Sequence, residues 1–446
     1  MKNSKLINTF LNEPKPIEIT KAEGINFYTN DGKKYLDFTA GFTSHAILGW
    51  SQNNVVEAIT KQLKKIPHID YKAFSDKNRD SLADLLVSKT KSKLDKVFFV
   101  GSSGGEACEA AMKLSYQDHC CRGNKEKSWF ISREQSYHGS TTHSMAAGDR
   151  PNLDFYKPLF PKNMAKIPEH NVYRNKLHDE TEDDYTNRCV KDLETKILNI
   201  GPEKVCAFIA ETICGGLVGD VPPTKNYWRK IKKVCEKYDV HLILDEVWCG
   251  TGTSGKVHCF DWDNVDPDFV FIGKTLGAGY APLSAVITTS RIEENIKINH
   301  GVIQYSNTHQ GHSASIAGAL EVQKIIHDDY FLKTVYEKGI HLREKITQSL
   351  KNNVFFKNVR GRGLRNSIEY SCKDQHLFGL TLAEKMKTED NIILSGKWHR
   401  ISMSPALIVT WEELDLVIDR FIDQFEKLTK KWDKIEKSSI KLKNFF

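Results

Sequence analysis

Short, uninterrupted apolar runs in the middle of the chain end in residues that can do chemistry. Leu242-Ile243-Leu244 stops at Asp245, and the run 269–272 is followed by Gly273 and Lys274. Runs of this length with turn residues after them are typical of buried parallel strands. Ligands bind beyond the carboxyl ends of the strands in an open α/β sheet. The two runs therefore predict a crevice that holds a carboxylate and a primary amine.

Other patterns predict the elements around this crevice. Helical spacing of apolar residues predicts helices from residue 54, around 82–87 and from about 225 to 238. Apolar runs predict strands at 129–131, at 205–210 just before Glu211, and at 282–288. Asn30-Asp31-Gly32 predicts a hairpin in an N-terminal arm of short strands. Residues 150–184, with several prolines and an acidic run, are expected to form a surface excursion and a linker.

A glycine-rich turn predicts an anion site. The strand pattern KVFFV is followed by GSSGG and by a helix that is expected to begin near Glu106. A helix N-terminus reached through glycines offers free backbone N–H groups and the positive end of the helix dipole. Phosphate is the anion that such a turn would bind.

Length, charge and cysteine content narrow the classes of protein to which this chain can belong. A chain of 446 residues is expected to form a large and a smaller domain around real cores. The net charge of +7 is mild, and no arginine-rich arm appears, so nucleic acid is not expected as a partner. No apolar run reaches membrane-spanning length, and there is no signal-peptide core. The ten cysteines, which include no C-x-x-C pair, indicate buried thiols in a reducing compartment, so a cytoplasmic location is expected.

An amine beside a carboxylate is what pyridoxal phosphate requires. The lysine forms a Schiff base with the cofactor aldehyde, and the carboxylate keeps the pyridine nitrogen protonated so that the ring withdraws electrons. Lys274 and Asp245 would fill these two roles. Once freed from the cofactor, Lys274 could move a proton between carbon atoms.

Three motifs resemble the class III aminotransferases, which are fold-type I enzymes dependent on pyridoxal phosphate. They are Asp245-Glu246-Val247, Gly250-x-Gly252-x-x-Gly255 and Gly273-Lys274-x-Leu276-Gly277-x-Gly279, in the family's order. The resemblance covers roughly residues 16–425. It implies an aminotransferase that works by a ping-pong mechanism through Lys274. It also implies an α/β large domain with a mostly parallel sheet flanked by helices, and a smaller α+β domain. The expected divisions are an arm over 1–69, a cofactor-binding domain over 70–328 and a small domain over 329–446.

The resemblance also implies roles for individual residues. Ser103, Gly104 and Gly105 would hold the cofactor phosphate, with Thr308 contributed by the opposite subunit of a homodimer. Tyr137 would stack on the pyridine ring, and Glu211 would lie near its phenolic side. The full set implied to bind the cofactor is Ser103, Gly104, Gly105, Tyr137, His138, Asp245, Val247, Lys274 and Thr308.

The substrate is less well specified. Arg400 is a candidate for binding a substrate carboxylate, and Arg365 is a weaker one. The loop that ends at Trp50 would help line the pocket, and Trp50 replaces a residue that is often histidine in the family. Thr212 and Trp248 depart from the family pattern as well. Donor and acceptor therefore stay open between amino acids or amines and 2-oxo acids or aldehydes.

Several alternative interpretations use the same residues. The segment Gly250 to Gly255 fits the dinucleotide pattern G-x-G-x-x-G and would indicate a dehydrogenase, but a loop rather than a helix is predicted after it. Position 268, where a P-loop before Lys274 needs glycine, is Asp268. His309 and His312 lack the further ligands of a metal site, and no metal is expected. A racemase, aminomutase or decarboxylase with the same cofactor would share the Lys274 constellation.

Overall fold

The computed structural model describes residue 7, residues 17–151 and residues 153–434. The outermost parts of the predicted arm and small domain lie outside these residues. The helices are α1 (Asn53–Lys65), α2 (Lys77–Val87), α3 (Gly104–Cys121), α4 (Thr142–Ala147), α5 (Val172–Asn175), α6 (Glu182–Ile200), α7 (Tyr227–Lys237), α8 (Ser290–Asn299), α9 (Ser313–Ile326), α10 (Asp329–Leu350), α11 (Gln375–Glu389) and α12 (Trp411–Lys431). The strands are β1 (Ile19–Glu23), β2 (Asn26–Thr29), β3 (Lys34–Asp37), β4 (Lys96–Phe99), β5 (Trp129–Arg133), β6 (Met164–Ile167), β7 (Val205–Glu211), β8 (His241–Asp245), β9 (Phe269–Ile272), β10 (Ala285–Thr288), β11 (Phe356–Arg362), β12 (Arg365–Tyr370), β13 (Ile392–Ile393), β14 (Ser395–Lys397) and β15 (Arg400–Met403).

A seven-stranded sheet forms the centre of the large domain. Its strand order is β4-β10-β9-β8-β7-β5-β6. Strands β9, β8, β7, β5 and β6 pair in parallel, and β10 runs antiparallel to both of its neighbours. Every residue of β7, β8 and β9 is buried, as expected for strands covered by helices on both faces. The prediction of a mostly parallel α/β sheet is confirmed.

Two predictions about this sheet need correction. Residues 150–184 are more than a surface excursion, because they contain β6, which pairs in parallel with β5 at the sheet edge. This strand has four residues, of which only Ile167 is fully buried, so its apolar signal is weak. The predicted strand 282–288 is shorter than expected and begins at Ala285.

Side-chain caps explain where two helices begin. The Asp76 carboxylate accepts the backbone N–H groups of Asn78 and Arg79, so α2 starts well before the apolar run at 82–87. The hydroxyl of Ser103 accepts the N–H of Glu106, and the Glu106 carboxylate accepts the N–H of Ser103. This capping box starts α3 at Gly104, two residues earlier than expected.

Two smaller sheets flank the large domain. The arm strands and one C-terminal strand form the order β1-β2-β3-β13, and the hairpin predicted at Asn30 to Gly32 joins β2 to β3. The order β11-β12-β15-β14 is antiparallel throughout. Helices α10, α11 and α12 cover this second sheet with an apolar core that includes Phe378, Phe421 and Phe425. Across the described ranges, no helix combines the length and the apolarity that a membrane span requires.

Candidate active site

Two carboxylates lie side by side at the carboxyl end of the central sheet. Glu211 is the last residue of β7 and Asp245 is the last residue of β8, and the two are paired in register. Asp245 is also in register with Phe271 of β9, the strand that leads to Lys274. The strand ends therefore gather at one edge, where open α/β sheets bind their ligands.

Asp245 is held from two directions. Its Oδ2 atom lies 2.8 Å from Nδ1 of His138, and its Oδ1 atom accepts the N–H of Val247 at 2.9 Å. The His138 ring is buried, its Nε2 atom has no partner, and burial lowers its pKa. The network therefore assigns a neutral ring that donates from Nδ1 to Asp245. The carboxylate is fixed in orientation before any ligand arrives.

Lys274 begins the turn that follows β9. Its backbone is left-handed, with φ of 36°, and it starts a short 3₁₀ turn, Lys274–Leu276. The pKa of its amine is lowered to about 8, chiefly by burial and also by the charge of Arg365, while Asp245 and Glu211 act in the opposite direction. A lysine with this pKa is neutral often enough near neutral pH to act as a nucleophile or a base.

A compact glycine cradle lies at the start of α3. A Cβ atom on Gly104 would lie 2.7 Å from Cγ2 of Val247, and one on Gly139 would lie 2.5 Å from Cα of Gly105. The Glu106 carboxylate accepts the N–H groups of Ser102 and Ser103. The N–H groups of Gly104 and Gly105 have no acceptor within the helix, because the first turn provides none. They are available to an anion at the positive end of the helix dipole.

Glu211 is buried, and no arginine side chain among the described residues forms a salt bridge with it. Burial raises the pKa of its carboxyl to about 8, Arg133 opposes this and Asp245 adds to it, while the N–H groups of Gly215 and Tyr137 hydrogen-bond to the carboxylate. The Arg133 guanidinium donates to the backbone carbonyl of Glu211 instead. Near neutral pH the Glu211 carboxyl is therefore largely protonated and can donate a hydrogen bond.

Tyr137 directly precedes His138, the partner of Asp245. The side chain is 39% exposed, and its hydroxyl lies 3.2 Å from Oγ of Ser140. An exposed ring next to the Asp245 partner His138 is available to stack on an electron-poor aromatic ligand.

A small cavity of about 20 Å³ adjoins Lys274 through Trp248. It is lined by Thr39, Phe42, Ser44, Gly216, Trp248, Ser395, Lys397, Arg400, Ser402 and Ser404. Arg400 is fully buried, with Nη1 3.4 Å from the carbonyl oxygen of Leu217 and with Nε and Nη2 unpartnered. Unpaired guanidinium N–H groups in a buried cavity are suited to an acidic ligand.

Arg365 and Trp248 pack against each other beside this cavity. Arg365 donates from Nε to the carbonyl of Trp248 at 3.2 Å and from Nη2 to the carbonyl of Ser44 at 2.9 Å, and its Nη1 is unpartnered. The Trp248 indole donates from Nε1 to Asp220 at 2.9 Å. Neither the contact of Trp248 with Asp220 nor the position of Lys397 in the cavity could be predicted from the sequence, because neither Asp220 nor Lys397 belongs to a motif.

Trp50 and Thr308 are not among the residues that line this cavity. The Trp50 ring contacts Phe27 of the arm at a centroid distance of 5.2 Å, and Trp50 does not line the cavity beside Trp248. Thr308 lines a separate surface cleft of about 420 Å³, and its carbonyl oxygen lies 2.9 Å from Nε2 of His68. This cleft and the cavity share no lining residue.

The alternative motifs have structural explanations. Residues 250–258 form turns, so the glycine pattern there opens no helix and lacks the geometry of a dinucleotide site. Among the described residues, one group has the spacing of metal ligands, namely Glu246, Cys249 and Cys259. The Glu246 carboxylate already accepts the Thr212 hydroxyl and two backbone N–H groups, and burial raises its pKa well above the ordinary value. A neutral, hydrogen-bonded acid is a poor metal ligand.

Comparison with known proteins decides the family. Residues 10–425 match the family described as Aminotransferase class-III. The chain belongs to the class III aminotransferases. A gamma aminobutyrate transaminase of Solanum lycopersicum is 34% identical over 90% of each chain, and a vanillin aminotransferase of Capsicum chinense is 32% identical over 90% of each. An omega transaminase of Pseudomonas jessenii, solved in complex with PMP, superposes with a TM-score of 0.87 at 29% identity, covering 94% of this chain and 93% of that one.

This aminotransferase is thus a fold-type I enzyme that depends on pyridoxal phosphate, as the sequence predicts. The residues present fit that cofactor. The glycine cradle at α3 suits a phosphate, the fixed Asp245 carboxylate suits a pyridine nitrogen, and the Lys274 amine suits an aldehyde. Its substrates are a small-molecule amino donor and an oxo acceptor.

Proposed function

We propose that Lys274 both anchors the cofactor and moves the proton during amino transfer from an amino acid or amine to a 2-oxo acid or aldehyde. The observation that carries the proposal is the lowered pKa of Lys274, about 8, in a crevice that also contains Asp245. Pyridoxal phosphate supplies an aldehyde and an electron-withdrawing ring. Lys274 Nζ, when neutral, accepts a proton from the donor carbon and returns it to another carbon.

The neighbouring residues support this role by position and charge. Asp245, fixed by His138 and Val247, would bind the pyridine nitrogen and keep it protonated. Gly104 and Gly105, with Ser103 beside them, would hold the phosphate through backbone N–H groups. Glu211, with its pKa raised to about 8, would donate a hydrogen bond near the phenolic side of the ring. Tyr137 would cover one ring face.

The absorption spectrum of the purified protein tests the proposal. We expect wild-type protein with pyridoxal phosphate to show a yellow band that amino donors bleach and that oxo acceptors restore. Lys274→Ala should lack the lysine-linked band, whereas Lys256→Ala, which removes a half-buried lysine outside the crevice, should retain it. A wild-type protein that stays colourless with added cofactor would refute the role of Lys274. Steady-state kinetics that require both substrates to be bound together would refute the ping-pong scheme.

The same proposal includes a homodimer with shared active sites. Thr308 lines a surface cleft that shares no residue with the cavity beside Lys274, which supports a role toward another subunit. Thr308 of one protomer would then contact the phosphate held by the other protomer. A protein that sediments as a monomer while fully active would contradict this.

Mixed dimers give a sharper test of the shared site. Thr308→Ala alone should weaken cofactor binding, and Lys274→Ala alone should abolish amino transfer. In a mixed dimer of the two variants, one site combines intact Lys274 with intact Thr308 only if Thr308 acts across the interface. Recovery of tight cofactor binding and activity on mixing is expected. No recovery would mean that Thr308 acts within its own subunit or not at all.

Arg400 supports a substrate that carries a carboxylate. Its buried Nε and Nη2 groups lack partners, and it lines the cavity beside Trp248. Of the compounds in the names of two relatives, gamma-aminobutyrate carries a carboxylate distant from its amine, which supports such a substrate, whereas vanillin is an aldehyde without a carboxylate. A panel of 2-amino acids, ω-amino acids and simple amines would identify the donor. Preference for simple amines over all amino acids would refute the carboxylate role of Arg400.

We also propose a cytoplasmic location. All ten cysteines are free, and six of them are fully or almost fully buried: Cys108, Cys206, Cys214, Cys235, Cys249 and Cys259. Thiols that are never paired are typical of a reducing compartment. Fractionation of cells that express the full chain tests this, and recovery in an oxidising compartment would contradict it.

A further inference from the structure

The turn that contains Thr308 is bound to the connection between α1 and α2. Nε2 of His68 in this connection lies 2.9 Å from the carbonyl oxygen of Thr308. Because a carbonyl oxygen only accepts hydrogen bonds, the neutral His68 ring carries its proton on Nε2 and leaves Nδ1 bare. His68 therefore holds the backbone of Thr308 by a donated hydrogen bond, although 240 positions separate the two residues in the sequence.

Two further contacts fix the chain on either side of this turn. Lys72 donates from Nζ to the hydroxyl oxygen of Ser306 at 2.9 Å. The Tyr71 hydroxyl lies 3.2 Å from Oγ of Ser313. With the histidine contact between them, the connection holds the segment 306–313 at three points. The position of the turn thus depends on residues outside the cofactor motifs.

Three imidazole rings pack together around the turn. The rings of His68 and His312 are stacked, with centroids 5.0 Å apart and an interplanar angle of 13°. The His309 ring lies 5.9 Å from the first ring and 6.1 Å from the second. Among the described residues, the histidines that pair with a carboxylate are others, so these three rings lack an acidic partner that would favour the charged form. The cluster therefore suits neutral rings.

A proton added to this cluster has no favourable place. Nδ1 of His68 is buried and has no hydrogen-bond partner among the described residues, so its protonated form would be a buried donor without an acceptor. The pKa of His312 is lowered from 6.5, chiefly by burial and also by the charges of His68 and His309. The neutral arrangement is therefore lost as pH falls below about 6.5. The other titratable groups that line the cleft with His68 are of both signs and do not reverse this preference: Asp70, Tyr71, Lys72, Arg79, Glu293, Lys297 and Tyr305.

We propose that His68 is a positioning residue that holds Thr308 toward the cofactor phosphate of the other subunit while the three imidazoles are neutral. The inference rests on the proposed role of Thr308 across the dimer interface. His68 acts through the Thr308 carbonyl and not by contact with the cofactor. Charging the cluster would separate the rings and move the turn, so the enzyme would release its cofactor more readily in acid.

The affinity for pyridoxamine phosphate tests this role. This compound carries the ring and the phosphate but no aldehyde, so its binding requires no reaction with Lys274. Calorimetric titration of the full-length apoprotein at about pH 8 should show an affinity about 2- to 10-fold weaker in His68→Leu than in wild type, as expected for loss of one hydrogen bond. His68→Gln, whose amide nitrogen can occupy the Nε2 position, should bind almost as tightly as wild type.

The pH profile separates positioning by a titratable ring from simple packing. Between about pH 8 and about pH 5.5, the affinity of wild-type protein should fall by about 3- to 10-fold more than that of His68→Gln, because glutamine adds no charge to the cluster. Protonation of the ligand phosphate affects both proteins alike and cancels in their ratio. His178→Leu removes a fully exposed histidine outside the cleft and should match wild type throughout.

A double variant shows whether His68 acts through Thr308. If it does, His68→Leu should weaken the affinity little further in a protein that already carries Thr308→Ala. Full additivity of the two losses would overturn the inference, and so would parallel pH profiles of wild type and His68→Gln. Thermal unfolding monitors each variant, and His68→Gln keeps the pH test available if His68→Leu does not fold.

These outcomes are distinct from those that test the proposed function. Reduced affinity in Thr308→Ala, together with unchanged affinity in His68→Leu, overturns the role of His68 alone. Unchanged affinity in Thr308→Ala refutes the role of Thr308 and, with it, this inference. A yellow band that amino donors do not bleach, together with the expected affinities of the variants, refutes the proposed transfer and supports the positioning role of His68.

Discussion

The amine of Lys274 lies 4.7 Å from the centroid of the Trp248 indole ring, and the Arg365 guanidinium carbon lies 5.0 Å from the same centroid. Both cations are close enough for attraction to the π-system of the ring. The hydrogen bond from the indole N–H to Asp220 fixes the ring in its plane. Trp248 is therefore a rigid wall between the reactive amine and the Arg400 cavity.

Replacing Trp248 with a smaller side chain should change the size of the amino donor that the enzyme accepts. We expect Trp248→Ala to raise the ratio of kcat/KM for bulky aromatic amines to that for small donors by roughly 10- to 100-fold, because shape in an apolar pocket discriminates on this scale. Trp248→Phe retains a ring without the Asp220 hydrogen bond and should move the ratio far less. The measurement is kcat/KM for a matched pair of donors. An unchanged ratio in Trp248→Ala would show that the wall does not limit size.

The pKa of Lys274 predicts how cofactor loading depends on pH. The amine must be neutral to attack an aldehyde, and its pKa of about 8 lies below the ordinary 10.5. The rate at which apoprotein takes up pyridoxal phosphate should therefore rise as pH increases through about 8 and then level off. Arg365 lowers this pKa, so Arg365→Met should move the midpoint to higher pH. The yellow band, followed against pH, gives both midpoints. A wild-type midpoint near 10.5 would contradict the burial of the amine.

Removing the partner of Asp245 should weaken cofactor binding. The His138 ring donates to Asp245 at 2.8 Å in a buried site. A hydrogen bond to a charged group contributes about 1.5–3 kcal/mol, so His138→Phe should weaken cofactor affinity by roughly 10- to 100-fold. His138→Asn, whose amide nitrogen can occupy the Nδ1 position, should recover part of the loss. Equilibrium titration of apoprotein measures both. Equal losses in the two variants would assign the effect to packing.

Gly139 should tolerate no side chain. Its φ is 140°, and a Cβ atom would lie 2.5 Å from Cα of Gly105, in the backbone of the phosphate cradle. We expect Gly139→Ala to lower the free energy of unfolding by roughly 2–4 kcal/mol and to weaken phosphate binding. Gly32 also has a positive φ, of 78°, but a Cβ atom there would meet nothing within 4 Å. Gly32→Ala should cost about 1–2 kcal/mol in urea unfolding and leave cofactor binding intact. Similar losses in the two variants would remove the steric argument.

The centre of the fold and the cofactor residues could be predicted from the sequence because their signals are local. Fully buried strands such as β7 and β8 read as continuous apolar runs, and their last residues, Glu211 and Asp245, mark the ligand edge directly. Glycine is required at 104, where a Cβ atom would lie 2.7 Å from Cγ2 of Val247, and at 139, where one would lie 2.5 Å from Cα of Gly105. Both glycines stand in motifs that are visible in the sequence.

The parts of the fold and the site that could not be predicted depend on contacts between distant segments of the chain. Strand β6 is short and mostly half-buried, so its apolar pattern resembles that of a loop. Asp220, which holds Trp248, lies in a left-handed turn that follows no periodicity. Lys397 enters the cavity only because a hairpin brings it opposite Arg400. The spacing of residues along the chain does not predict these contacts between distant segments.

The pairing of β13 with β3 has a consequence during synthesis on the ribosome. Leu36 and Asp37 of the arm are in parallel register with Ile392 and Ile393, so one edge of β3 has no strand to pair with until the late strand β13 has been made. With roughly 350 residues still to be made at about 5–20 residues per second, that edge stays open for roughly 20–70 s. Lys34, the first residue of β3, and Lys33 just before it place positive charge near this open edge. Such charges discourage pairing between neighbouring nascent chains until the proper strand emerges.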